Sequence, residues 1–273
     1  RIGQFVSQSH PLRYFQVVSM DLSIIISTHN RCNKIGEVLS SVITAAAAAS
    51  VEWELFVMDT QSTDRTHEVV ESFRGAGIPN LYYQYKNRGG KTTSLNLGLR
   101  RAQGRIVAFL DDDVQVDPKW MVGLLNEYAA DPSIVAVGGR VELLNSDDAS
   151  LSVRSGQSRK TFTVETFDPG AIPVIGCNMS FARRIFEEVG MFDDLFGPGD
   201  PIPAAEDLDF LWSVCRRGYA IYYCPHLLVL HNHGRQSEQE KTESARGYIF
   251  GRGAFYAKYI VRFDLPIIKR ALY

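Results

Sequence analysis

The sequence has no long apolar run, and no stretch reaches the roughly 18 residues that a membrane-spanning helix needs. It also has no surplus of charge, because 29 Lys and Arg residues stand against 31 Asp and Glu residues, for a net charge of −2. This balance does not indicate a nucleic-acid-binding protein. With 45% hydrophobic residues, the chain is expected to form one large globular domain or two small ones.

Cysteine is scarce, and its spacing argues against two classes of site. The four cysteines are far apart and form no C-x-x-C pair: Cys32, Cys177, Cys215 and Cys224. Neither a zinc ribbon nor a dithiol redox motif is therefore indicated. We expect reduced thiols and a cytoplasmic protein.

Two nucleotide-binding motifs are incomplete. The segment "GGKTT" (89–93) resembles the end of a P-loop, but Tyr85 occupies the position where the Walker pattern needs a glycine. The segment "GRGAF" (251–255) lacks the third glycine of a dinucleotide fingerprint and the strand that precedes it. The sequence therefore favours neither a P-loop NTPase nor a nicotinamide-dependent enzyme.

The first half of the chain alternates four times between strand-like and helix-like patterns. Buried strands are predicted at 22–28, 53–59, 81–85 and 106–110, with helices at 33–50, 63–74 and 91–102 between them. This alternation predicts an α/β fold with a mostly parallel central sheet and helices on both faces. Ligands of such sheets bind beyond the carboxyl ends of the strands.

The second half is less regular. Its predicted helices are 117–131, 183–190 and 206–218, its predicted strands are 134–144 and 174–182, and residues 145–170 and 196–205 are predicted as loops. The segment "YAIYYCPHLLVL" (219–230) is predicted as strand, turn and strand, because Pro225 and His226 interrupt it. Residues 1–20 are interpreted as a leader or an added extension.

Three consecutive carboxylates, Asp111, Asp112 and Asp113, end the fourth predicted strand. Such a run is compatible with a solvated acidic turn. It is also compatible with a divalent cation site, because Mg²⁺ and Mn²⁺ prefer oxygen ligands and often share them with a phosphate. The other predicted strands also end in polar residues on the same edge, which favours the cation site.

Six segments together resemble the family 2 glycosyltransferases of the GT-A fold. They are "SIIISTHNR", "DTQSTDRT", "NRGGKTTSLNLGL", "LDDDV", "GCNMSFARRIFEEVGMFDD" and "EDLDFLWSVCRRGYAIYYCPHLLVLH", in the family's order between Leu22 and His233. Ser27 and His29 depart from the commoner Pro and Tyr, and Ser94 replaces Ala. The Q-x-x-R-W signature of processive synthases is absent, so the resemblance implies transfer of one sugar.

The resemblance implies an inverting hexosyl- or N-acetylhexosaminyltransferase that uses a nucleotide diphosphate sugar, with a UDP-sugar the commonest donor. Mn²⁺ or Mg²⁺ would be held at the D-x-D motif by Asp113 and Asp111, with His231 as a further ligand. Asp207 would be the general base that deprotonates the acceptor hydroxyl, supported by Glu206. Asp112, between the two metal ligands, is expected to point the opposite way on a strand end.

The resemblance also implies the remaining contacts. The expected nucleotide-binding residues are Thr28, His29, Asn30, Arg31, Asp59, Ser62, Asn87, Lys91, Asp111 and Asp112. Gly176 and Asn178 are expected in the floor of the donor and acceptor pocket. Residues 21–140 would form the nucleotide-sugar-binding half, 141–233 the acceptor-binding and catalytic half, and 234–273 a helical tail.

Simpler interpretations stay open for several of these residues. Asp59 also fits a turn, Lys91 a solvated helix start, Glu206 and Asp207 a favourable first helical turn, and His231 a structural histidine. Two other functions also stay open: a non-catalytic nucleotide-sugar-binding module and a glycoside hydrolase that uses two carboxylates. The acceptor is expected to be a saccharide or a lipid-linked molecule. Residues 248–273 are compatible with contact with the inner face of the cytoplasmic membrane, and equally with packing against the core.

Overall fold

A computed structural model of the protein describes residues 20–75 and 80–272. The predicted leader therefore lies outside the described residues, apart from Met20. The nine strands are β1 (Leu22–Thr28), β2 (Trp53–Thr60), β3 (Leu81–Lys86), β4 (Ile106–Asp111), β5 (Val114–Val116), β6 (Ala136–Leu143), β7 (Lys160–Phe162), β8 (Asn178–Ala182) and β9 (Ile221–His231). The helices are α1 (Ile35–Ala47), α2 (Thr66–Gly75), α3 (Lys91–Arg101), α4 (Trp120–Ala130), α5 (Ile185–Val189), α6 (Glu206–Arg216), α7 (Glu238–Ile260) and α8 (Leu265–Ala271).

All nine strands belong to one sheet, in the order β3-β2-β1-β4-β8-β6-β9-β5, with β7 on β9. The first four strands of this order are parallel, as the alternation of strands and helices predicts. In this register Thr28 pairs with Asp59, and Ser27 pairs with Asp111. The polar ends of β1, β2 and β4 therefore meet at one edge of the sheet.

The second half of the chain extends the sheet with mixed pairings. Strand β8 pairs antiparallel with β4 and β6, whereas β6 pairs parallel with β9. The predicted boundary between the two halves, at residue 140, falls inside β6. Backbone hydrogen bonds consequently continue across it, and the two halves share one sheet.

Strand β9 corrects the prediction for residues 219–230. It is a single strand, and its register against β6 jumps from Gly139 and Cys224 to Arg140 and Leu228. Pro225 has no backbone N–H to give to the ladder, and the bulge keeps it out of the pairing. The proline therefore produces a bulge rather than a turn.

Alternation along the strands gives each face of the sheet its own core. Ile24 and Ile26 of β1 pack on the face covered by α1 and α4, while Ile25 packs on the face that carries α3, α6 and α7. Each face therefore excludes water from the sheet, which is what fully apolar central strands require. The described helices include none that is both long enough and apolar enough to cross a membrane.

Candidate functional site

A cavity of about 630 Å³ lies at the carboxyl ends of β1, β2 and β4. The second half of the chain completes its wall with residues 150–154, the loop before α6, the start of α6 and part of α7. This is the edge at which ligands of parallel sheets bind. Most of the predicted site residues line this cavity: Thr28, His29, Arg31, Lys91, Asp111, Asp112, Asp113, Gly176, Glu206, Asp207 and His231.

Asp111, Asp113 and His231 form a three-residue group in this cavity. One ligand atom from each lies within 4.8 Å of the others. Pairing of β5 with β9 sets Val114 opposite His231, which brings the end of β9 beside the aspartates. The His231 Nε2 lies 3.1 Å from Asp113 Oδ1, and both side chains are almost fully buried.

This donor set fits a divalent cation. Two carboxylates and an imidazole suit Mn²⁺ well, and the carboxylates suit Mg²⁺. Burial raises the pKa of Asp113, but the hydrogen bond and charge of His231 bring that pKa below its usual value. Asp113 is thus held ionised, as a metal ligand must be, whereas His231 would have to release its proton to bind the ion.

Asp112 is not part of this group, and it lies with Asp113 in the turn after β4 rather than on the strand itself. Its Oδ1 lies 3.3 Å from Arg31 Nε, and its Oδ2 accepts a hydrogen bond from the His29 N–H at 3.3 Å. Burial, with the neighbouring Asp113, raises the pKa of Asp112 to about 7. Arg31 also reaches Asp113 at 3.5 Å, so one guanidinium serves both carboxylates.

Lys91 connects the two acidic parts of the site. Its Nζ lies 2.6 Å from Asp111 Oδ1 and 3.3 Å from Glu206 Oε1. Burial alone would lower the pKa of Lys91, but the charges of Asp111 and Glu206 raise it well above its usual value. The solvated helix start considered from the sequence is therefore not what the structure shows.

The start of α6 holds Asp207 in a defined position. Asp207 Oδ1 accepts a hydrogen bond from the Leu208 N–H at 2.7 Å, and Oδ2 accepts one from the Gly176 N–H at 3.0 Å. Ala205, just before the helix, has a φ of 79°, a left-handed conformation that costs a non-glycine residue about 1 kcal/mol or more. Burial and the charge of Glu206 raise the pKa of Asp207 to about 6.

Four of the predicted nucleotide-binding residues lie behind the cavity wall or beside it: Asn30, Asp59, Ser62 and Asn87. Asp59 is completely buried, with Oδ2 accepting from the Tyr83 hydroxyl at 2.6 Å and Oδ1 from the Ser62 N–H at 3.0 Å. The Ser62 hydroxyl in turn accepts a hydrogen bond from the Asn30 N–H at 2.8 Å. These contacts join the loops after β1 and β2; Thr60 and Gln61 are the neighbours that line the cavity.

Asn178 differs from its predicted place in the pocket floor. It is 2% exposed, accepts a hydrogen bond from Trp120 Nε1 at 3.0 Å and donates to the carbonyls of Arg140 and Leu227. Those two carbonyls flank the bulge between β6 and β9. Asn178 therefore satisfies backbone groups that the bulge leaves unpaired.

The sequence analysis missed several residues that line the cavity or support its wall. Asp200 accepts hydrogen bonds from the N–H groups of Gly90 at 2.9 Å and Thr92 at 3.2 Å, which anchors the 196–205 loop on the start of α3. Arg154, Arg235 and Arg252 line the cavity itself. They come from a loop without periodicity, from the segment after β9 and from α7, so nothing in the local sequence brings them together.

Comparisons with known proteins agree with this geometry. The family profile described as "Glycosyl transferase family 2" matches residues 23–190. The chain is 28% identical over 125 residues to the dodecaprenyl-phosphate galacturonate synthase of Rhizobium johnstonii, covering 45% of this chain and 37% of that one. The chain spans less than two thirds of the length of the curated relatives it matches.

Two solved structures share the fold. The mannosyltransferase PcManGT of Pyrobaculum calidifontis, in complex with GDP-Man and Mn²⁺, has a TM-score of 0.62 and 21% identity, covering 89% of this chain and 67% of that one. TarS 1-349 of S. aureus, in complex with UDP-GlcNAc, has a TM-score of 0.61 and 19% identity, covering 82% of this chain and 61% of that one. Because the family profile matches more than half of the chain, this protein belongs to glycosyl transferase family 2 and has the GT-A-type fold.

Proposed function

We propose that the protein transfers one sugar, with inversion, from a nucleotide diphosphate sugar to a hydroxyl acceptor in glycan or glycolipid synthesis. The observation that carries this proposal is that the Asp111, Asp113 and His231 group and the Asp207 carboxylate line one cavity, with Lys91 between them. A UDP-sugar is the proposed donor. The UDP-GlcNAc complex of TarS supports it, and the GDP-Man complex of PcManGT makes a guanine nucleotide the alternative to test.

Asp111, Asp113 and His231 would hold the Mn²⁺ or Mg²⁺ ion. When bound, this ion supplies positive charge that stabilises the diphosphate as the leaving group. The Mn²⁺ in the PcManGT complex supports a divalent ion in this family. Thr28, His29 and Arg31 line the same side of the cavity and would contact the nucleotide, while Asp59, Ser62, Asn30 and Asn87 would shape its binding loops.

Asp207 would act as the general base. The acceptor oxygen forms a bond to the anomeric carbon, the carbon–oxygen bond to the diphosphate breaks, and its electron pair leaves with the diphosphate. The acceptor proton passes to Asp207, whose pKa of about 6 leaves it ionised at neutral pH yet basic enough to take a proton. Two backbone N–H groups fix the direction of this carboxylate, and Lys91 holds Glu206 beside it.

Calorimetric titration with UDP and GDP, each with and without Mn²⁺, tests the donor site. We expect Mn²⁺-dependent binding of one nucleotide, and loss of that binding in Asp113→Ala and Asp113→Asn. Asp147→Ala is the matched control, because Asp147 is an exposed carboxylate outside the cavity. Equal binding with and without metal, or wild-type binding by both Asp113 variants, would refute the metal site; sugar release that survives a chelator would favour a hydrolase.

A further inference from the structure

Three arginines in the cavity have no partner that explains them. Arg154, Arg235 and Arg252 line the cavity and are each half-buried. Within residues 20–75 and 80–272, none of them has a carboxylate within 4.0 Å, and none of their guanidinium groups makes a hydrogen bond. The buried Nε of Arg154 is unsatisfied.

The acidic groups of the cavity do not account for these arginines by contact. Asp111 and Glu206 pair with Lys91, while Asp112 and Asp113 pair with Arg31. Burial lowers the pKa of Arg154, against the raising effect of the Tyr223 and Asp207 charges, so its guanidinium lies within electrostatic reach of Asp207. Arg154 therefore lies on the side of the cavity where the acceptor would meet Asp207, and the hydrogen bond between Tyr248 and Ser152 brings the α7 segment that carries Arg252 beside the segment that carries Arg154. Arg235 instead lies within electrostatic reach of His231.

A half-buried guanidinium without a counter-ion has lost solvation that nothing in the folded chain replaces. Guanidinium groups match phosphate oxygens in geometry and bind them through paired, charge-assisted hydrogen bonds. We infer that Arg154 and Arg252 form an anion site for a phosphate group carried by the acceptor. This inference rests on the proposed function, because it names the acceptor class of the same cavity.

The surroundings extend this site toward solvent. Tyr248 lies one helical turn before Arg252 on α7, also lines the cavity, and makes a 2.9 Å hydrogen bond with Ser152. Ile249, beside it on the helix, is 69% exposed. The phosphate can belong to a lipid whose chain contacts Ile249 or to a water-soluble glycan. Both sources present the same phosphate chemistry to the arginines.

Titration with phosphate-bearing probes tests the inference. The protein is first saturated with nucleoside diphosphate and Mg²⁺, and then titrated with inorganic phosphate, farnesyl phosphate or uncharged farnesol. We expect both phosphates to bind and farnesol to bind at least tenfold more weakly than farnesyl phosphate. Farnesyl phosphate binding at least tenfold tighter than inorganic phosphate would assign a lipid source, whereas equal affinities would assign a water-soluble one.

Arginine variants show whether the binding belongs to this site. Arg154→Gln and Arg252→Gln should each weaken phosphate binding about tenfold or more, while nucleotide binding stays unchanged. Arg246→Gln is the matched control, because Arg246 is an exposed arginine on α7 outside the cavity. Failure of both phosphates to bind, or wild-type affinity in both variants, would overturn the inference. Repeating the titration without nucleotide keeps it separate from any failure of the donor site.

Discussion

Two glycines of α7, Gly251 and Gly253, give a matched test of how α7 positions the start of α6, where the proposed base Asp207 lies. A methyl group added to Gly251 would lie 2.8 Å from the carbonyl oxygen of Ala204 and 2.9 Å from its carbonyl carbon. A methyl group added to Gly253 would meet nothing within 4 Å. Ala204 directly precedes the left-handed Ala205 and the Glu206–Asp207 pair, so any displacement there moves the start of α6.

The two substitutions should therefore differ in their effect on stability. Gly253→Ala should raise the free energy of unfolding by about 0.5–1 kcal/mol, because alanine is the better helix former. Gly251→Ala gains the same propensity but presses the added methyl group against the Ala204 backbone, which costs about 1–3 kcal/mol, so its net effect is neutral to about 2.5 kcal/mol destabilising. Urea unfolding measures both values.

The effect on activity is the stronger criterion. Gly251→Ala should lower turnover about 10- to 100-fold, because small displacements of a catalytic group are costly, while metal-dependent nucleotide binding is retained. Turnover is followed as release of the nucleoside diphosphate from the donor sugar. If Gly251→Ala and Gly253→Ala match each other in both stability and turnover, the proposed positioning of Asp207 by α7 is refuted.

Two further predictions concern charges in the cavity. Asp207→Asn should cut turnover about a hundredfold or more at unchanged donor affinity, and wild-type kcat/KM should fall as the pH drops below about 6, where Asp207 takes up its proton. Because the folded-state pKa of Asp207 is raised, its contribution to stability is present at low pH and is lost as the pH rises through about 6; urea unfolding of the Asn variant should lack this loss. Lys91→Met should destabilise the protein by about 3–5 kcal/mol, because it leaves Asp111 and Glu206 without their shared cation, whereas Lys269→Met at an exposed site should change unfolding little.

The sequence was most informative where local pattern and fold agree. β-branched runs such as 22–28, each followed by a helical pattern, indicate central strands of a covered parallel sheet, so the parallel half and its polar edge could be predicted. The bulge at Pro225 could not be predicted in this way, because it depends on the register against β6. Asn178 was misplaced for the same reason, since its partners are carbonyls that only the bulge leaves free.

The residues of the candidate site likewise fall into those that a sequence motif predicts and those that no motif predicts. Asp111, Asp113 and Asp207 carried recognisable motifs, and they line one cavity. The three arginines that line the cavity carried none, because they lie on three segments far apart in the chain. No local sequence pattern marks residues on such separate segments as neighbours, so only the folded structure shows which charges the cavity wall contains.

The charge arrangement of the cavity also explains how several carboxylates can lie close together at this edge of the sheet. Lys91 lies at the start of α3, and Arg31 lies in the segment after β1. Each contacts two carboxylates, so Asp111, Asp112 and Asp113 all have a cationic partner. A divalent ion at Asp111 and Asp113 must share these carboxylates with Lys91 and Arg31. Both cations would then have charge available for the phosphates of a donor. On this reasoning, the cations that pair with these carboxylates are the same groups that would neutralise the bound diphosphate.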